Sequence, residues 1–538
     1  MRLIYYYAIF TTAIIALSLP AFSQDYRIGS IFIERREVFE PADKDWFFAG
    51  NFLNKFHSTT RQYVVEDELL FAEGDALDET RLSETERNLR AIGIFTWARV
   101  ELDSARDGVY DVYVITKDRW TLMPALLIGS QGGNREYGAR LEERNLLGTG
   151  TSFTAEALYR TENDIGWQGT LLVNQRRLFR SDFSFSGRLL AHKYRTEQSI
   201  GLAQLYRTLE TPNSYGVDGL NNYGKDFMYF SADSAMLIPF RERGARAWYS
   251  KAWDRQDRVF FTALAEVYDV KRIDHMFRRA YDNTGRVLLG FSSISQDFVS
   301  IPNVNSYYPE DANLGGWGSA ILGKTISLGR GGENLYYLGG QGEISAYDGK
   351  TYLFAQVTGA GSFAGAESRY VYEEFLGLAF RRLTPKLTLA SQVRQQTVWN
   401  WDAWRQLILD SETGLRGYDA NEIVGDNRVL ANTELRYFPG WNIFLFDLSG
   451  AAFWDIGSAW RRGTPFDKTQ FHNSAGLGLR LHFTKSSAPE DMFRLDFAWN
   501  FDKNRFGGVV FTTRQMFSAY KLHEFRLPQI FGLEYDKE

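Results

Sequence analysis

Apolar and polar side chains alternate with a period of two residues through most of this chain, from about Trp120 to Phe517. One segment places five apolar side chains opposite three polar ones: Phe493, Leu495, Phe497, Trp499 and Phe501 against Arg494, Asp496 and Asn500. Successive side chains of a β-strand point to opposite faces, so such segments are predicted to be strands with one apolar face. Segments of about ten residues of this kind are typical of a transmembrane β-barrel. A soluble sandwich also alternates, but with shorter strands and its apolar face inward.

The composition favours a membrane protein made of strands. Phe, Tyr and Trp make up 16% of the 538 residues, and Pro contributes only 12. With 24% charged residues, the chain after its first residues has no apolar run long enough for a membrane helix. At roughly 25 residues for a strand and its loop, residues 120–517 predict an all-β, antiparallel barrel of about sixteen strands, closed so that no strand edge meets lipid. Residues 213–226 are polar and rich in Gly and Asn, and are predicted to form a loop.

The first 23 residues have the pattern of a secretory signal peptide. Arg2 precedes an apolar run from Leu3 to Leu19, and Ala21 and Ser23 fit a cleavage site. A short membrane anchor is the alternative, although the run is below the roughly 20 residues that span a bilayer comfortably. An exported chain with a barrel pattern is expected in the outer membrane of a Gram-negative-type bacterium.

Residues 24–119 differ from the rest and are predicted to form one small α+β domain. They are poorer in Gly and contain acidic stretches that favour helices. The predicted order is β-α-α-β-β: a strand over 26–39, a helix starting at Asp45, a helix over about 78–92, and strands over 96–102 and 109–116.

Two strings in this region, residues 68–75 and 83–95, resemble a POTRA (polypeptide-transport-associated) domain. The first reads ELLFAEGD and the second SETERNLRAIGIF. The resemblance implies a periplasmic domain whose sheet edge can accept an extended peptide as a further strand. An unrelated periplasmic spacer is the alternative.

Three strings in the barrel region are similar to motifs of the BamA/TamA assembly-factor superfamily, also called the bacterial surface antigen family. They are Leu141–Gly150, Leu415–Asp419 and Phe453–Gly457, and they occur in the family's order. The resemblance implies a barrel that inserts or assembles outer-membrane proteins. Export of a secreted partner, as in two-partner secretion, and a channel or surface antigen that transports no protein remain open.

The same strings contain a candidate site inside the barrel. Strand parity points Glu434 and Asp455 into the lumen, where two carboxylates on neighbouring strands can receive the planar guanidinium of Arg416. Arg416 belongs to a polar stretch over about 402–428, predicted to be a loop that folds back into the lumen. The predicted latch comprises Arg416, Gly417, Tyr418, Glu434, Asp455 and Gly457. It is either a structural latch or a moving gate.

Other functions are not expected from the sequence. The chain has no Cys, and its six His are scattered without the spacing of a metal site, so no metal and no cofactor is predicted. No serine-hydrolase, zinc-protease or P-loop motif is present, and a net charge of −5 does not favour nucleic acid. The expected partners are an unfolded outer-membrane or secreted polypeptide, outer-membrane lipid including lipopolysaccharide, and periplasmic accessory proteins.

The two ends of the barrel region raise separate questions. Pro124 lies in the predicted first strand, or in the lead-in to it, and proline removes one backbone donor from a strand edge. Residues 508–517 are predicted to form the closing strand. Residues 518–538 then form a tail, which departs from the family's usual end at a terminal aromatic residue.

Overall fold

The fold is taken from a computed structural model that describes most of the chain. The described residues are 26–38, 58–103, 108–208, 210–231, 234–253, 257–273, 279–307, 310–329, 332–401, 405–443, 446–482, 492–513, 515–518 and 525–533. The chain divides into two compact units, residues 1–121 with 144–150, and residues 122–143 with 151–538. The predicted signal peptide and the helix predicted from Asp45 lie outside the described residues.

The described residues of the first unit form one three-stranded sheet and two helices. In chain order they are β1 (Arg27–Arg36), α1 (Gln62–Glu66), α2 (Glu79–Ala91), β2 (Phe95–Leu102) and β3 (Val109–Asp118). The sheet order is β1-β3-β2, with β3 parallel to β1 and antiparallel to β2. The described elements therefore follow the order β-α-α-β-β.

Local sequence explains where α2 begins and ends. The side chain of Asp78 accepts a hydrogen bond from the backbone N–H of Thr80 at 2.9 Å and caps the first turn. Gly93 adopts a φ of +79° just after the helix, a conformation that favours glycine. The buried face of α2 packs with the sheet in one apolar core: Ile28, Val65, Phe71, Leu82, Leu89, Ile94, Phe95, Ala98, Val112 and Val114.

We predict that Leu89→Ala destabilises this unit by about 2–5 kcal/mol, because Leu89 is fully buried in its core. Amide hydrogen exchange over residues 58–102 of the full chain measures the loss. Arg81→Ala, on the exposed side of the same helix, is the matched control and should change exchange little. Equal effects of the two substitutions would contradict this packing.

The second unit is a closed antiparallel barrel of twenty strands among the described residues. The first fifteen in chain order are β4 (Leu122–Gln131), β5 (Asn134–Glu143), β6 (Thr151–Arg160), β7 (Gly166–Gln175), β8 (Phe183–His192), β9 (Arg195–Gln204), β10 (Asn213–Ser231), β11 (Ser234–Trp253), β12 (Arg258–Arg272), β13 (Thr284–Ile301), β14 (Glu310–Ser327), β15 (Leu335–Tyr347), β16 (Thr351–Ala364), β17 (Glu367–Thr384) and β18 (Leu387–Trp399). The last five are β21 (Asn427–Ile443), β22 (Phe446–Trp460), β23 (His472–His482), β24 (Met492–Asn500) and β25 (Arg505–Thr512). Between β18 and β21, the short strands β19 (Leu407–Leu409) and β20 (Ile423–Gly425) pair with each other and are not part of the barrel wall. Each barrel strand pairs with its neighbours in sequence, and β25 meets β4 to close the wall.

The prediction of about sixteen strands is wrong, for two reasons. Strands β4 to β9 are ten residues each and follow one another through short turns, so they use far fewer residues than the estimate allowed. Residues 213–226, predicted to be a loop, lie in β10 instead. Strands β10 to β14 have 15–20 residues, more than the roughly 9–11 that cross a bilayer, so parts of them need no apolar face.

Side chains alternate between the two faces of the wall. On β15, Tyr336 and Leu338 are more than half exposed, whereas Tyr337 between them is 2% exposed and points inward. On β22, Trp454 is exposed and Asp455 is fully buried. An apolar outer face and a polar inner face suit lipid outside and water inside. Among the described residues, no helix is long and apolar enough to cross a membrane.

The closing strand is shorter than the predicted 508–517. Strand β25 ends at Thr512, and Phe517 is buried in an apolar cluster with the inward side chains of β16 and β17. The chain therefore leaves the wall after Thr512 and turns into the lumen.

Candidate functional site

The loop between β18 and β21 is folded by its own hydrogen bonds. Strands β19 and β20 pair as a short antiparallel ribbon. Between them, the carboxylate of Asp410 accepts hydrogen bonds from the backbone N–H groups of Thr413 at 2.9 Å and Asn421 at 2.7 Å. These bonds close the segment from 410 to 421 into a compact turn, which presents Arg416 at its tip.

Arg416 is fully buried and contacts carboxylates from three different strands. Its Nε and Nη2 bind the two oxygens of Asp455 on β22 at 2.7 Å each, which is bidentate geometry. Its Nη1 lies 2.7 Å from Glu434 on β21 and 3.0 Å from Asp496 on β24. The guanidinium also stacks on Phe453, 3.5 Å from the ring centroid. The loop tip is thus joined to three strands of the wall through one side chain.

Two of the carboxylates, Glu434 and Asp496, also contact the wall arginines Arg436, Arg480 and Arg494, whereas Asp455 accepts a hydrogen bond from Asn432 at 2.8 Å. Nε of Arg436 lies 2.8 Å from Glu434, and Nε of Arg494 lies 3.2 Å from Asp496. With Arg416, four guanidinium groups meet three carboxylates, which leaves this cluster with a net charge of +1. Every carboxylate has more than one cationic or amide donor, as a buried charge requires.

The glycine and the aromatic residue after Arg416 fit the loop against the last hairpin. Gly417 adopts a φ of +84°, and a Cβ there would lie 3.1 Å from the Cβ of Ala498. The hydroxyl of Tyr418 donates to the carboxylate of Asp502, 2.9 Å away. Gly457 on β22 lies against the other side of the loop, where a Cβ would come within 3.1 Å of Leu409. A side chain at either glycine would push the loop away from the wall.

The loop contacts the barrel on both sides of the junction between β25 and β4, here called the seam. Ala420 donates its backbone N–H to the carbonyl of Gly132, in the turn between β4 and β5, at 2.9 Å. Asn500, at the end of β24, donates its side-chain amide to the carbonyl of Gly417 at 3.0 Å. The loop therefore bridges the first and last hairpins of the barrel.

Sequence reasoning named six residues here, and the structure brings them together around the loop tip. It did not name Asp496, nor the wall arginines Arg436, Arg480 and Arg494, as members of the site. The parity pattern had placed Asp496 on the polar face of its strand. Parity gives the face but not the height along the barrel, which depends on the register between strands.

We predict that Arg416→Ala lowers the free energy of unfolding by about 3–5 kcal/mol, because three buried carboxylates lose their shared partner. Urea unfolding in lipid vesicles measures the loss, and chymotrypsin cleavage after Tyr418 reports release of the loop. Arg416→Lys keeps the charge without the bidentate contact, so its free energy of unfolding should lie between those of the wild type and Arg416→Ala.

Arg461→Ala is the control for that experiment. Arg461 is half exposed and pairs with Asp426 at 3.4 Å, so its removal should change stability by about 1 kcal/mol or less. If Arg416→Ala behaved like this control, the buried cluster would not hold the loop.

A closed antiparallel barrel with an apolar outer face and a charged, folded loop in its lumen is a transmembrane β-barrel of an outer membrane. Residues 376–512, which include the loop and its carboxylates, match the Omp85 superfamily domain. This match confirms the resemblance for the region that contains two of the three motifs, Leu415–Asp419 and Phe453–Gly457. No curated protein matches the sequence.

The solved structures that match this chain include the following three. BamA from Haemophilus ducreyi lacking POTRA domains 1–3 is 13% identical, with 90% of this chain and 83% of that chain covered and a TM-score of 0.44. CdiB from Acinetobacter baumannii is 12% identical, with 90% and 73% covered and a TM-score of 0.44. CdiB from Escherichia coli is 12% identical, with 89% and 73% covered and a TM-score of 0.40.

Proposed function

We propose that this protein inserts or assembles outer-membrane proteins by receiving an extended polypeptide at the seam of its barrel. In this proposal residues 1–23 are a signal peptide, residues 24–119 are a single periplasmic POTRA domain, residues 120–517 include the barrel, and the lumenal loop is a latch. The protein needs no catalytic residue and no cofactor. Its partners are an unfolded outer-membrane polypeptide, outer-membrane lipid including lipopolysaccharide, and periplasmic accessory proteins.

The weak seam is the observation that carries this proposal. Among the described residues, β25 and β4 meet at one residue pair, Phe511 with Ser130. The ladders on either side are far longer: β4 pairs with β5 along all ten of its residues, from Leu122 to Gln131. Backbone groups of a strand edge that lack a ladder partner are a template for another strand. The seam is therefore where the wall can open at the lowest cost in hydrogen bonds.

Two features of the chain keep the seam weak. Pro124 lies within β4, six residues before the pair at Ser130, and has no N–H with which the ladder of the seam could extend. Strand β25 ends at Thr512 and the chain then turns inward. A polar cleft of about 480 Å³ lies inside this junction, bordered by Gln131, Arg140 and Thr512 among others. The cleft offers hydrogen-bonding groups to a chain that enters beside the seam.

The edges of the sheet in the first unit support capture of the same kind of substrate. Strands β1 and β2 are the outer strands of the described sheet, and residues 74–77 already bind the start of the outer edge of β1, from Tyr26 to Ile28. An extended peptide can bind such an edge through main-chain hydrogen bonds, which are independent of the peptide's sequence. A client that is recognised as a strand before it reaches the barrel suits an assembly factor.

Secretion of a dedicated partner uses the same elements and is the alternative. In secretion the client passes through the lumen, whereas in insertion it leaves sideways through the seam. The lumen of this barrel holds the folded loop with its buried cluster, which favours the seam over the lumen as the path. An open passive channel is disfavoured for the same reason.

We predict that a disulfide across the seam, from Ser130→Cys with Phe511→Cys, abolishes client insertion. The chain has no native Cys, and directly opposed residues of an antiparallel pair lie within disulfide distance. The measurement is assembly of an unfolded outer-membrane barrel in proteoliposomes, before and after reduction. Reduction should restore insertion to the starting rate.

A disulfide between Ala139→Cys and Ala157→Cys is the matched control, since these residues are opposed in the full ladder between β5 and β6. It should leave insertion unchanged. Insertion at the normal rate with the seam locked would contradict the proposal. Release of a secreted partner from cells under the same lock would instead favour the secretion pore.

A further inference from the structure

Residues 515–517, which follow β25, contact the inner face of the barrel wall. Gln515 donates its side-chain amide to Glu434 at 3.1 Å, and Arg436 donates to the carbonyl of Phe517 at 3.0 Å. Phe517 packs on the inward-facing rings of Tyr352 and Phe380. Residues 515–517 therefore lie in the lumen, on the inner faces of β16, β17 and β21.

Residues 525–533, here called the inner segment, lie against another part of the lumenal wall. Arg526 forms a two-pronged ion pair with Glu343, with N–O distances of 2.6 and 3.1 Å, and also donates to Gln341 at 3.2 Å. Its guanidinium stacks on Trp317, 4.4 Å from the ring centroid. The side chain of Glu343 is fully buried, so this is a specific charge pair and not a surface contact.

The backbone of the inner segment is recognised as well. The hydroxyl of Tyr337 donates to the carbonyl of Gln529 at 3.2 Å and accepts the N–H of Phe531 at 3.0 Å. One inward-facing side chain of β15 therefore hydrogen-bonds to both a carbonyl and an N–H of the segment. Such paired contacts hold an extended peptide in one register.

Apolar side chains of the inner segment fill complementary positions on the wall. Ile530 and Phe531 are buried in a cluster with inward-facing residues of β12 to β15 and β17. Phe525 packs on Tyr206 and Phe260, with ring centroids 4.9 and 5.3 Å away. The cavity left between the segment and the wall is about 20 Å³, room for about one water molecule.

The wall itself is shaped for this segment. Gly290 on β13 faces Pro528, and a Cβ at position 290 would lie 2.9 Å from the Cβ of that proline. Gly532 has a φ of +77°, and a Cβ there would meet the ring of Tyr372 at 2.6 Å. Glycine at both positions allows the closest approach between segment and wall.

We propose that the inner faces of β12 to β17 form a peptide-binding groove, and that the inner segment is its resident ligand and closes the barrel. The groove would take an extended peptide with an arginine for Glu343 and apolar side chains two to five residues further on. Barrels of 16–18 strands already leave an aqueous channel, so in a twenty-strand barrel the loss of the inner segment would open a water-filled path beside the lumenal loop. This inference concerns the lumen and does not depend on which client the seam receives.

Single-channel recording in planar bilayers tests the groove with the full chain. Arg526→Glu places two negative charges at the buried contact, and the open probability should rise by about tenfold or more. The exchanged pair, Arg526→Glu with Glu343→Arg, should bring it back towards the wild-type value. Arg188→Glu reverses the charge of a half-exposed arginine on β8, which pairs with Glu197 on β9 at 3.6 Å, and is the control, with no expected change in open probability.

Binding in trans separates a groove from a merely structural contact. A synthetic peptide with the sequence of residues 525–533, added to the Arg526→Glu barrel, should reduce its conductance in a dose-dependent way. The same peptide with Glu in place of its arginine should not. The proposal would be overturned if the Arg526→Glu barrel had the open probability of the wild type, or if the added peptide left its conductance unchanged.

A covalent lock decides the question if Arg526→Glu fails to insert into the membrane. Gly290→Cys with Pro528→Cys would place two Cβ atoms 2.9 Å apart, closer than the roughly 3.5–4.5 Å of a disulfide, so the segment moves outward by about an ångström when the bond forms in this chain without other cysteines. The oxidised barrel should lose its spontaneous openings, and reduction should restore them. Identical openings in the oxidised and reduced forms would show that the inner segment does not control the lumen.

Discussion

The buried guanidinium of Arg416 is the contact on which the arrangement of the lumen depends. Removing a guanidinium from water is costly, and the cost is offset only when its donors meet acceptors in good geometry. Here the acceptors come from β21, β22 and β24, so the N–H groups of Arg416 all find acceptors only when those strands are in their native register. The loop and this part of the wall therefore specify each other.

The same cluster connects the loop to the chain beyond the closing strand. Glu434 binds Arg416 with one oxygen and receives Arg436 and Gln515 with the other. Arg436 in turn holds the carbonyl of Phe517. The loop that bridges the seam and the chain that leads towards the inner segment thus share one carboxylate. A change at the seam that moves the loop would therefore also disturb the contacts of Gln515 and Phe517.

The sequence predicted the features that depend on local pattern. Alternation identified the strands and their faces, and the motif around Arg416 identified the loop and two of its carboxylates. The strand number was wrong because Gly- and Asn-rich strands such as β10 have no apolar alternation over much of their length. Asp496 was not assigned to the site because its height relative to Arg416 depends on the register of β23 and β24.

The inner segment could not be placed from sequence for a related reason. Nothing local distinguishes a basic and aromatic stretch that binds a wall from one that stays in water. Its contacts with Tyr337 and Glu343 join residues 183–194 positions apart along the chain. Only the closed barrel brings those positions together.

A double-mutant cycle between Arg416→Ala and Asp455→Ala, read by urea unfolding in lipid vesicles, tests the central contact most directly. A bidentate pair buried between loop and wall predicts a coupling energy of about 2 kcal/mol or more. If the destabilisation of the double variant equalled the sum of the two single destabilisations to within about 0.5 kcal/mol, the two side chains would act independently. That result would contradict the account of a loop held in the lumen by Arg416.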